Sequence, residues 1–193
     1  SPAMTEEDGS NLTLDGLNRG NSPMYLSGTE RVLRDCDLIV TKTDLKGRIT
    51  YANDTFLDFA GYPARMVIGA PHNIVRHPHM PRCVFKLLWD TLNRGDEIFA
   101  YVINRSANGD HYWVFAHATP TLSADGTIIG FHSNRRSVAP QTVATVIAPL
   151  YRKLLDEESR HGDVKAGMAA SSRMLFTLLA ETGQSYDEFV FSL

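Results

Sequence analysis

Alternating and helical hydrophobic patterns divide the chain into strand-like and helix-like segments. Five short runs that alternate or are rich in β-branched residues predict strands. They lie at residues 37–40, 48–51, 98–104, 111–119 and 127–133. Between the second and third runs, apolar positions at helical spacing predict a helix that begins near Pro81 and ends near Gly95. This order predicts an α+β fold, with a five-stranded antiparallel sheet and short helices on one face.

The segment after residue 138 has a helical pattern throughout. Apolar residues recur every three or four positions on two successive helices. The first face comprises Val143, Val146, Ile147, Leu150 and Leu154, and the second comprises Val164, Met168, Leu175, Leu178 and Leu179. Pro149 predicts a kink or a restart, and Ser185 with Glu188 predicts a capping box before a short third helix. These amphipathic helices could form a hairpin, dock on the sheet domain, dimerise, or only complete the fold.

Length and composition divide the chain into three parts. With 193 residues, of which 43% are hydrophobic, it can bury one core and carry a helical appendage. Residues 1–28 are predicted to be a tag remnant followed by a flexible leader, because they are too polar to form a core. Residues 29–138 are predicted to form the core domain, and residues 139–193 a helical extension.

Charge and cysteine content exclude several classes of function. A net charge of -3 and a pI near 6.1 provide no basic field, so nucleic acid is not an expected partner. The sequence contains neither a run of about 20 apolar residues nor a signal pattern, so we expect no direct membrane insertion. Cys36 and Cys83 lack the spacing of a disulfide framework or a zinc site, which fits the cytoplasm. No catalytic motif is present, and we expect a binding and signalling module rather than an enzyme.

Residues 72–81 form a polar segment between two apolar ones. Arg76, His77 and His79 lie on an irregular turn before the helix that starts near Pro81. Free N–H groups and the positive end of a helix dipole, together with a guanidinium, can bind a phosphate or a carboxylate. The alternative is that these side chains only satisfy buried carbonyl groups.

Several strings in the sequence resemble a known family. The strings Ala-Asn-Asp-Thr-Phe at 52–56, Val-Arg-His-Pro at 75–78 and Asn-Gly-Asp-His-Tyr-Trp-Val at 108–114 are similar to those of PAS domains. Within that superfamily they resemble the sensor domain of Aer-type aerotaxis receptors, which holds FAD and reports redox or oxygen status. The resemblance covers residues 37–138, and it implies a PAS fold with FAD as the cofactor.

The resemblance also implies a set of binding residues. Asn53, Arg76 and His77 match positions that are tied to FAD binding in the family. The family pattern has Asp at the position of His79 and Trp near the position of Ile98, so this chain departs from it twice.

Other residues are candidates for contacts with the flavin ring. Trp89 and Trp113 could replace the missing stacking indole, or they could pack in the core. Asn104 and His132 align with positions that bind the pyrimidine edge of the flavin, although Asn104 could instead cap a turn. No cysteine lies near His72, so a light-driven flavin adduct is not expected.

These features together predict a soluble stand-alone PAS sensor that reports redox or oxygen status, in aerotaxis or energy taxis, to a separate chemoreceptor or kinase-type protein. We expect a homodimer. Reduction of FAD is expected to rearrange Asn104 and His132 and to shift the leader and the C-terminal helices. The alternatives are a haem-binding gas sensor, for which the histidines are candidate ligands, and a ligand-free PAS interaction module.

Overall fold

The computed structural model describes residues 24–193, which contain a five-stranded antiparallel sheet with helices packed against it. The strands are β1 (Ile39–Asp44), β2 (Ile49–Ala52), β3 (Ile98–Arg105), β4 (His111–Leu122) and β5 (Ile128–Arg136). Their spatial order is β2-β1-β5-β4-β3. The predicted α+β fold is confirmed. Strands β4 and β5 each end three residues later than the pattern indicated, and β1 begins two residues later and ends four residues later.

Strand β5 lies in the centre of the sheet and pairs antiparallel with both β1 and β4. Ser133 lies opposite Ala118 and Arg135 lies opposite Ala116, and both alanines are buried. Because directly opposed residues share one face of a sheet, Phe131, Ser133 and Arg135 all face the inner side.

Short helices cover that inner side, as predicted. They are α1 (Asp54–Ala60), α2 (Ala64–Val67), a 3-10 turn (His72–Val75) and α3 (Arg82–Asn93). Asn53 caps α1, since its side chain accepts a hydrogen bond from the backbone N–H of Phe56 at 3.0 Å. Gly61, with φ of 74°, ends this helix in the left-handed conformation that glycine adopts without strain.

The end of the predicted leader is bonded to the sheet domain. The backbone N–H of Ser27 donates to the carbonyl of Gly109 at 3.0 Å, and its hydroxyl donates to Asp110 at 2.6 Å. A Cβ on Gly109 would lie 2.8 Å from the Tyr25 ring, so this turn needs glycine. Residues 24–28 therefore pack on the turn between β3 and β4, while the rest of the predicted leader lies outside the described residues.

The C-terminal segment begins with α4 (Pro140–Thr142), continues through a π-helical turn (Val143–Ile147) and becomes α5 (Ala148–Ser159). The N–H of Ala148 bonds to the carbonyl of Val143, five residues earlier. Pro149 follows and has no N–H to donate, and the helical backbone continues through it, so the predicted irregularity near this proline takes the form of the π-helical turn. Helices α6 (Val164–Thr182) and α7 (Tyr186–Phe191) complete the chain, and Ser185 caps α7 as predicted. Within residues 24–193, no helix combines the length and the hydrophobicity needed to cross a bilayer.

Two tyrosines of these helices bond to the free edge of the sheet. Helices α5 and α6 pack together as a hairpin that also contacts α3, so both the hairpin and the docking that the sequence left open are observed. The Tyr151 hydroxyl donates to the carbonyl of Tyr101, and the Tyr186 hydroxyl donates to that of Phe99 at 2.8 Å. Both carbonyls belong to edge strand β3, and an uncovered edge would expose unpaired backbone groups.

A carboxylate of the same hairpin caps α3. The side chain of Glu158 accepts hydrogen bonds from the N–H groups of Arg82 at 2.9 Å and Cys83 at 3.2 Å, and from the Ser171 hydroxyl at 2.6 Å. Pro81 supplies no side-chain cap. The N–H groups at this helix start, which the sequence suggested for a bound phosphate, therefore bond to a carboxylate of the chain itself, so that part of the interpretation is corrected.

Glu158→Gln is expected to destabilise the protein. The amide keeps one acceptor for the N–H groups of α3 but loses the charge that favours a helix N-terminus, at a cost of about 1 kcal/mol. Urea unfolding followed by circular dichroism measures this change. Glu181→Gln, at an exposed position on α6, is the matched control, and equal stability of the two variants would contradict the capping role.

Candidate functional site

A cavity of about 790 Å³ lies between the inner face of the sheet and α3. Its volume is within the range of about 300–1,000 Å³ that is typical of ligand pockets. Strand side chains such as Val102 and Ala118 form one wall, and Phe85 and Leu88 of α3 form another. The cavity is therefore largely apolar, and polar groups are concentrated at its rim and on β5.

The rim of the cavity is basic. Lys46, Arg76, Arg82 and Lys86 line it, and among them only Lys86 has an ion-pair partner within residues 24–193, namely Asp90. Arg76 lies over the Phe85 ring, 5.1 Å from its centroid, and burial followed by the charge of Arg82 lowers its pKa. A guanidinium held in this way beside other cations suits a phosphate group.

Trp89 forms part of the apolar wall and Trp113 does not. The Trp89 ring meets the Phe131 ring edge-on at 5.2 Å between centroids, and both residues line the cavity. Trp113 lies on the outer face of the sheet, 5.9 Å from the Tyr151 ring, so it packs against the C-terminal helices. Ile98, at the position where the family has Trp, is buried beside Phe131.

Asn104 lines the cavity and is only 4% exposed. It lies within β3, opposite Tyr112 on β4. An isolated antiparallel bridge joins its backbone to that of Arg76. The structure therefore brings together two of the predicted binding residues, one from the polar segment and one from the sheet.

Asn53 lies outside the cavity lining and connects β1 to α1. Its Oδ1 accepts the N–H of Val40 at 3.1 Å, and its Nδ2 donates to the carbonyl of Leu38 at 2.8 Å. With its capping bond to Phe56, the amide is fully used by the fold.

His77 and His79 also lie outside the cavity lining. Nδ1 of the buried His77 accepts the backbone N–H of His79 at 2.9 Å, and the two rings lie 4.8 Å apart. Burial, followed by the nearby His79 and His111, lowers the pKa of His77 to about 4. These contacts stabilise the turn before α3. This agrees with the alternative interpretation, in which the two histidines serve the fold rather than a bound phosphate.

His132 borders the cavity, but its imidazole lies on the other face of the sheet. Its cross-strand partners are Lys42 on β1 and Thr119 on β4, and Lys42 is exposed. Side chains alternate along a strand, so a shift of one residue changes the face. The alternation of β5 therefore directs the His132 imidazole away from the inner wall that we predicted for it, and the inward positions belong to its neighbours Phe131 and Ser133.

Arg135 is the buried polar residue that sequence reasoning missed. It lines the cavity, is 3% exposed, and donates to the hydroxyls of Thr41 and of Ser133, the latter at 3.2 Å. Its Nη1 is buried and has no hydrogen-bond partner in the described part of the chain. Burial lowers its pKa to about 10, so it remains a cation at neutral pH. The alternation of Phe131 and Ser133 along β5 would have placed residue 135 inside.

His72 shares this polar cluster with Arg135. Nη2 of Arg135 donates to Nε2 of His72 at 3.0 Å, and the Thr41 hydroxyl lies 2.9 Å from the same nitrogen. Because Nε2 accepts a hydrogen bond, the neutral ring carries its proton on Nδ1. Burial and then the charge of Arg135 lower the pKa of His72 to about 3.

Comparison with known proteins assigns the class of this domain. Residues 49–135 match the family model described as PAS fold, and this part of the chain is a PAS domain. Over 134 residues the chain is 41% identical to the Aerotaxis receptor of Escherichia coli (strain K12), a match that covers 69% of this chain and 26% of the receptor. It is 23% identical over 108 residues to the Nitrogen fixation regulatory protein of Klebsiella pneumoniae, covering 56% of this chain and 22% of that protein. The chain thus spans about a quarter of the length of these relatives.

Solved structures share the fold. A light-oxygen-voltage domain studied with a flavin analogue superposes with a TM-score of 0.54 at 16% identity, covering 61% of this chain and 89% of that one. The dark structure of the blue-light photoreceptor Aureochrome1 LOV gives 0.52 at 19% identity, covering 64% and 99%. At these identities the likeness extends to the fold alone.

The low pKa of His72 predicts a pH dependence of stability. The unfolded chain binds a proton at this residue below about pH 6.5, whereas the folded chain does so only near pH 3. Stability is therefore lost as the pH falls below 6.5, by up to about 1.4 kcal/mol per pH unit from this group. We expect His72→Gln, which keeps an acceptor for Arg135, to lose less stability than the wild type between pH 7 and pH 5 in urea unfolding. The exposed His161→Gln is the control, and an unchanged pH dependence in His72→Gln would contradict the assignment.

Proposed function

We propose that this PAS domain binds FAD and reports redox or oxygen status in aerotaxis or a related energy taxis. The observation that carries the proposal is the cavity with an apolar interior, a basic rim and a buried unpaired guanidinium. The 41% identity to an Aerotaxis receptor over 134 residues also supports it. FAD supplies reversible electron transfer when it is bound, and the chain supplies the binding and the electrostatics.

The parts of the cavity suit the parts of a flavin dinucleotide. Arg76, with Arg82 and Lys46, holds the pyrophosphate at the rim, because a guanidinium bonds phosphate oxygens in pairs. Trp89 offers an aromatic wall for the ring system. The Asn104 amide, with both a donor and an acceptor, faces the pyrimidine edge.

A flavin fits the polar groups of this cavity better than a haem. Haem ligation through His72 would require its Nε2, which already accepts a hydrogen bond from Arg135, and His132 lies on the outer face. The unpaired charge of Arg135 also calls for an acceptor. A ligand-free interaction module would leave that donor without a partner inside the fold, at a cost in stability.

The C-terminal helices carry the signal from the cavity. Val164 and Met168 of α6 line it, while Glu158 and Tyr151 join the same hairpin to α3 and β3. A change of charge in the cavity shifts the balance between two arrangements of this hairpin. The route therefore runs through β3 and α3 rather than through His132.

The receiver is a separate chemoreceptor or kinase-type protein, and the sensor itself is a cytoplasmic homodimer without catalytic activity. Free Cys36 and Cys83 suit a reducing compartment. Phe176 of α6, which is half exposed, offers an apolar contact for a second copy. Analytical ultracentrifugation distinguishes dimer from monomer.

Absorption spectroscopy of the purified protein, with FAD supplied during refolding, tests the cofactor. Oxidised flavin gives twin bands in the near ultraviolet and the blue, whereas haem gives a single intense violet band. Arg76→Ala is expected to weaken FAD binding at least tenfold, because it removes a charged phosphate ligand. Arg65→Ala, an exposed arginine of α2, is the control. Full FAD occupancy in a correctly folded Arg76→Ala would contradict the phosphate role, and a haem spectrum would contradict the function.

A further inference from the structure

We propose that Arg135 is a second anion-binding group, distinct from the basic rim, and that it binds the pyrimidine edge of the ligand's ring system and favours its negatively charged reduced form. This inference rests on the proposed FAD-binding function. It assigns to Arg135 the charge recognition at the sheet end of the cavity, where the sequence predicted only His132 and Asn104.

The guanidinium of Arg135 is held in place by neutral acceptors. Thr41 of β1, Ser133 of β5 and His72 of the 3-10 turn accept its hydrogen bonds. Three elements thus fix its plane, and Nη1 still lacks a partner among the described residues. A buried donor is normally satisfied, so a fixed donor that is not satisfied at the wall of a cavity points to a ligand acceptor.

The surroundings of Arg135 contain no negative charge. The groups that face it are neutral His72, the Tyr112 hydroxyl of β4, which also lacks a partner, and the Phe56 ring of α1, 5.6 Å from the guanidinium carbon. Within residues 24–193, Arg135 forms no ion pair with a carboxylate. A buried cation without a counter-charge is costly to a fold, and a ligand that carries negative charge would offset that cost.

The position of Arg135 suits a ring rather than a phosphate. The four rim cations already provide for the pyrophosphate. Arg135 lies in the central strand opposite Ala116, and Ser133 lies opposite Ala118. These small side chains let a flat ring approach the sheet closely. The free Nη1 of Arg135 can donate to a carbonyl oxygen or to an unprotonated ring nitrogen at the pyrimidine edge.

A cation at this position affects how many protons the flavin takes up on reduction. Addition of two electrons and one proton to a neutral flavin leaves one negative charge on the ring, whereas two electrons and two protons leave none. Arg135 stabilises the charged product by Coulomb attraction in a buried site. The reduced ligand therefore keeps a single added proton at neutral pH, and it binds more tightly than it would without this residue.

Arg135→Gln and Arg136→Gln form a matched pair for testing this role. Arg136 follows directly on β5 and is exposed, so its loss leaves the cavity unchanged. With dithionite as reductant, we expect Arg135→Gln to lower the affinity for reduced relative to oxidised FAD about tenfold, which equals about 30 mV in the midpoint potential of a two-electron couple. Arg136→Gln and the wild type should agree. Equal potentials in all three folded proteins, each with flavin bound, would overturn the proposal.

The wild type alone provides a second test that does not depend on the folding of a variant. Each proton taken up per two electrons changes the midpoint potential by about 30 mV per pH unit. We expect about 30 mV per unit between pH 6 and pH 8, and about 59 mV per unit would overturn the role of Arg135. Absence of flavin from the wild type would instead contradict the proposed function, so the two failures can be told apart.

Discussion

The antiparallel pairing of β5 with both β1 and β4 is the interaction on which the rest of the structure depends. It joins the N-terminal hairpin to the C-terminal strands, and its register decides which side chains of β5 enter the cavity. The two backbones approach so closely at Gly130 that a Cβ there would lie 2.2 Å from the carbonyl oxygen of Thr43. Glycine is thus required where β5 first meets β1, and this contact helps to hold Arg135 on the inner face.

The same register places the cavity and the contacts of the C-terminal hairpin on one sheet. Its inner face provides the small alanines and the fixed guanidinium that a flat, charged ligand needs. Its free edge, β3, is bonded by tyrosines of the C-terminal hairpin, and that hairpin also caps α3 through Glu158. Cavity, edge strand and hairpin therefore share walls, and under the proposed function a charge that appears in the cavity would act directly on the hairpin.

Local patterns predicted much of the fold. The succession of strands along the chain, the helix after Pro81 and the cap at Ser185 all depend on propensities and spacings within a few residues, and the structure confirms them. The position of Arg76 at the cavity rim also follows from its place before α3.

The remaining features depend on contacts between distant residues. Glu158 caps a helix 75 and 76 residues away in sequence, and no local pattern marks such a partner. The sequence predicted His132 on the inner wall and missed Arg135. Both roles depend on the face of a strand, which a shift of one position reverses. In the sequence, the adjacent Arg135 and Arg136 look like an exposed strand end. Only the register of β5 shows that Arg135 is buried and Arg136 is exposed to solvent.

A crystal structure of the protein with FAD tests the central claim most directly. We expect the dinucleotide in the cavity beneath β3, β4 and β5, with phosphate oxygens at Arg76. The pyrimidine edge of its ring should lie within about 3.5 Å of Arg135 Nη1 and the Asn104 amide. A cavity filled by the protein's own side chains, or a ring system placed away from Arg135, would contradict it.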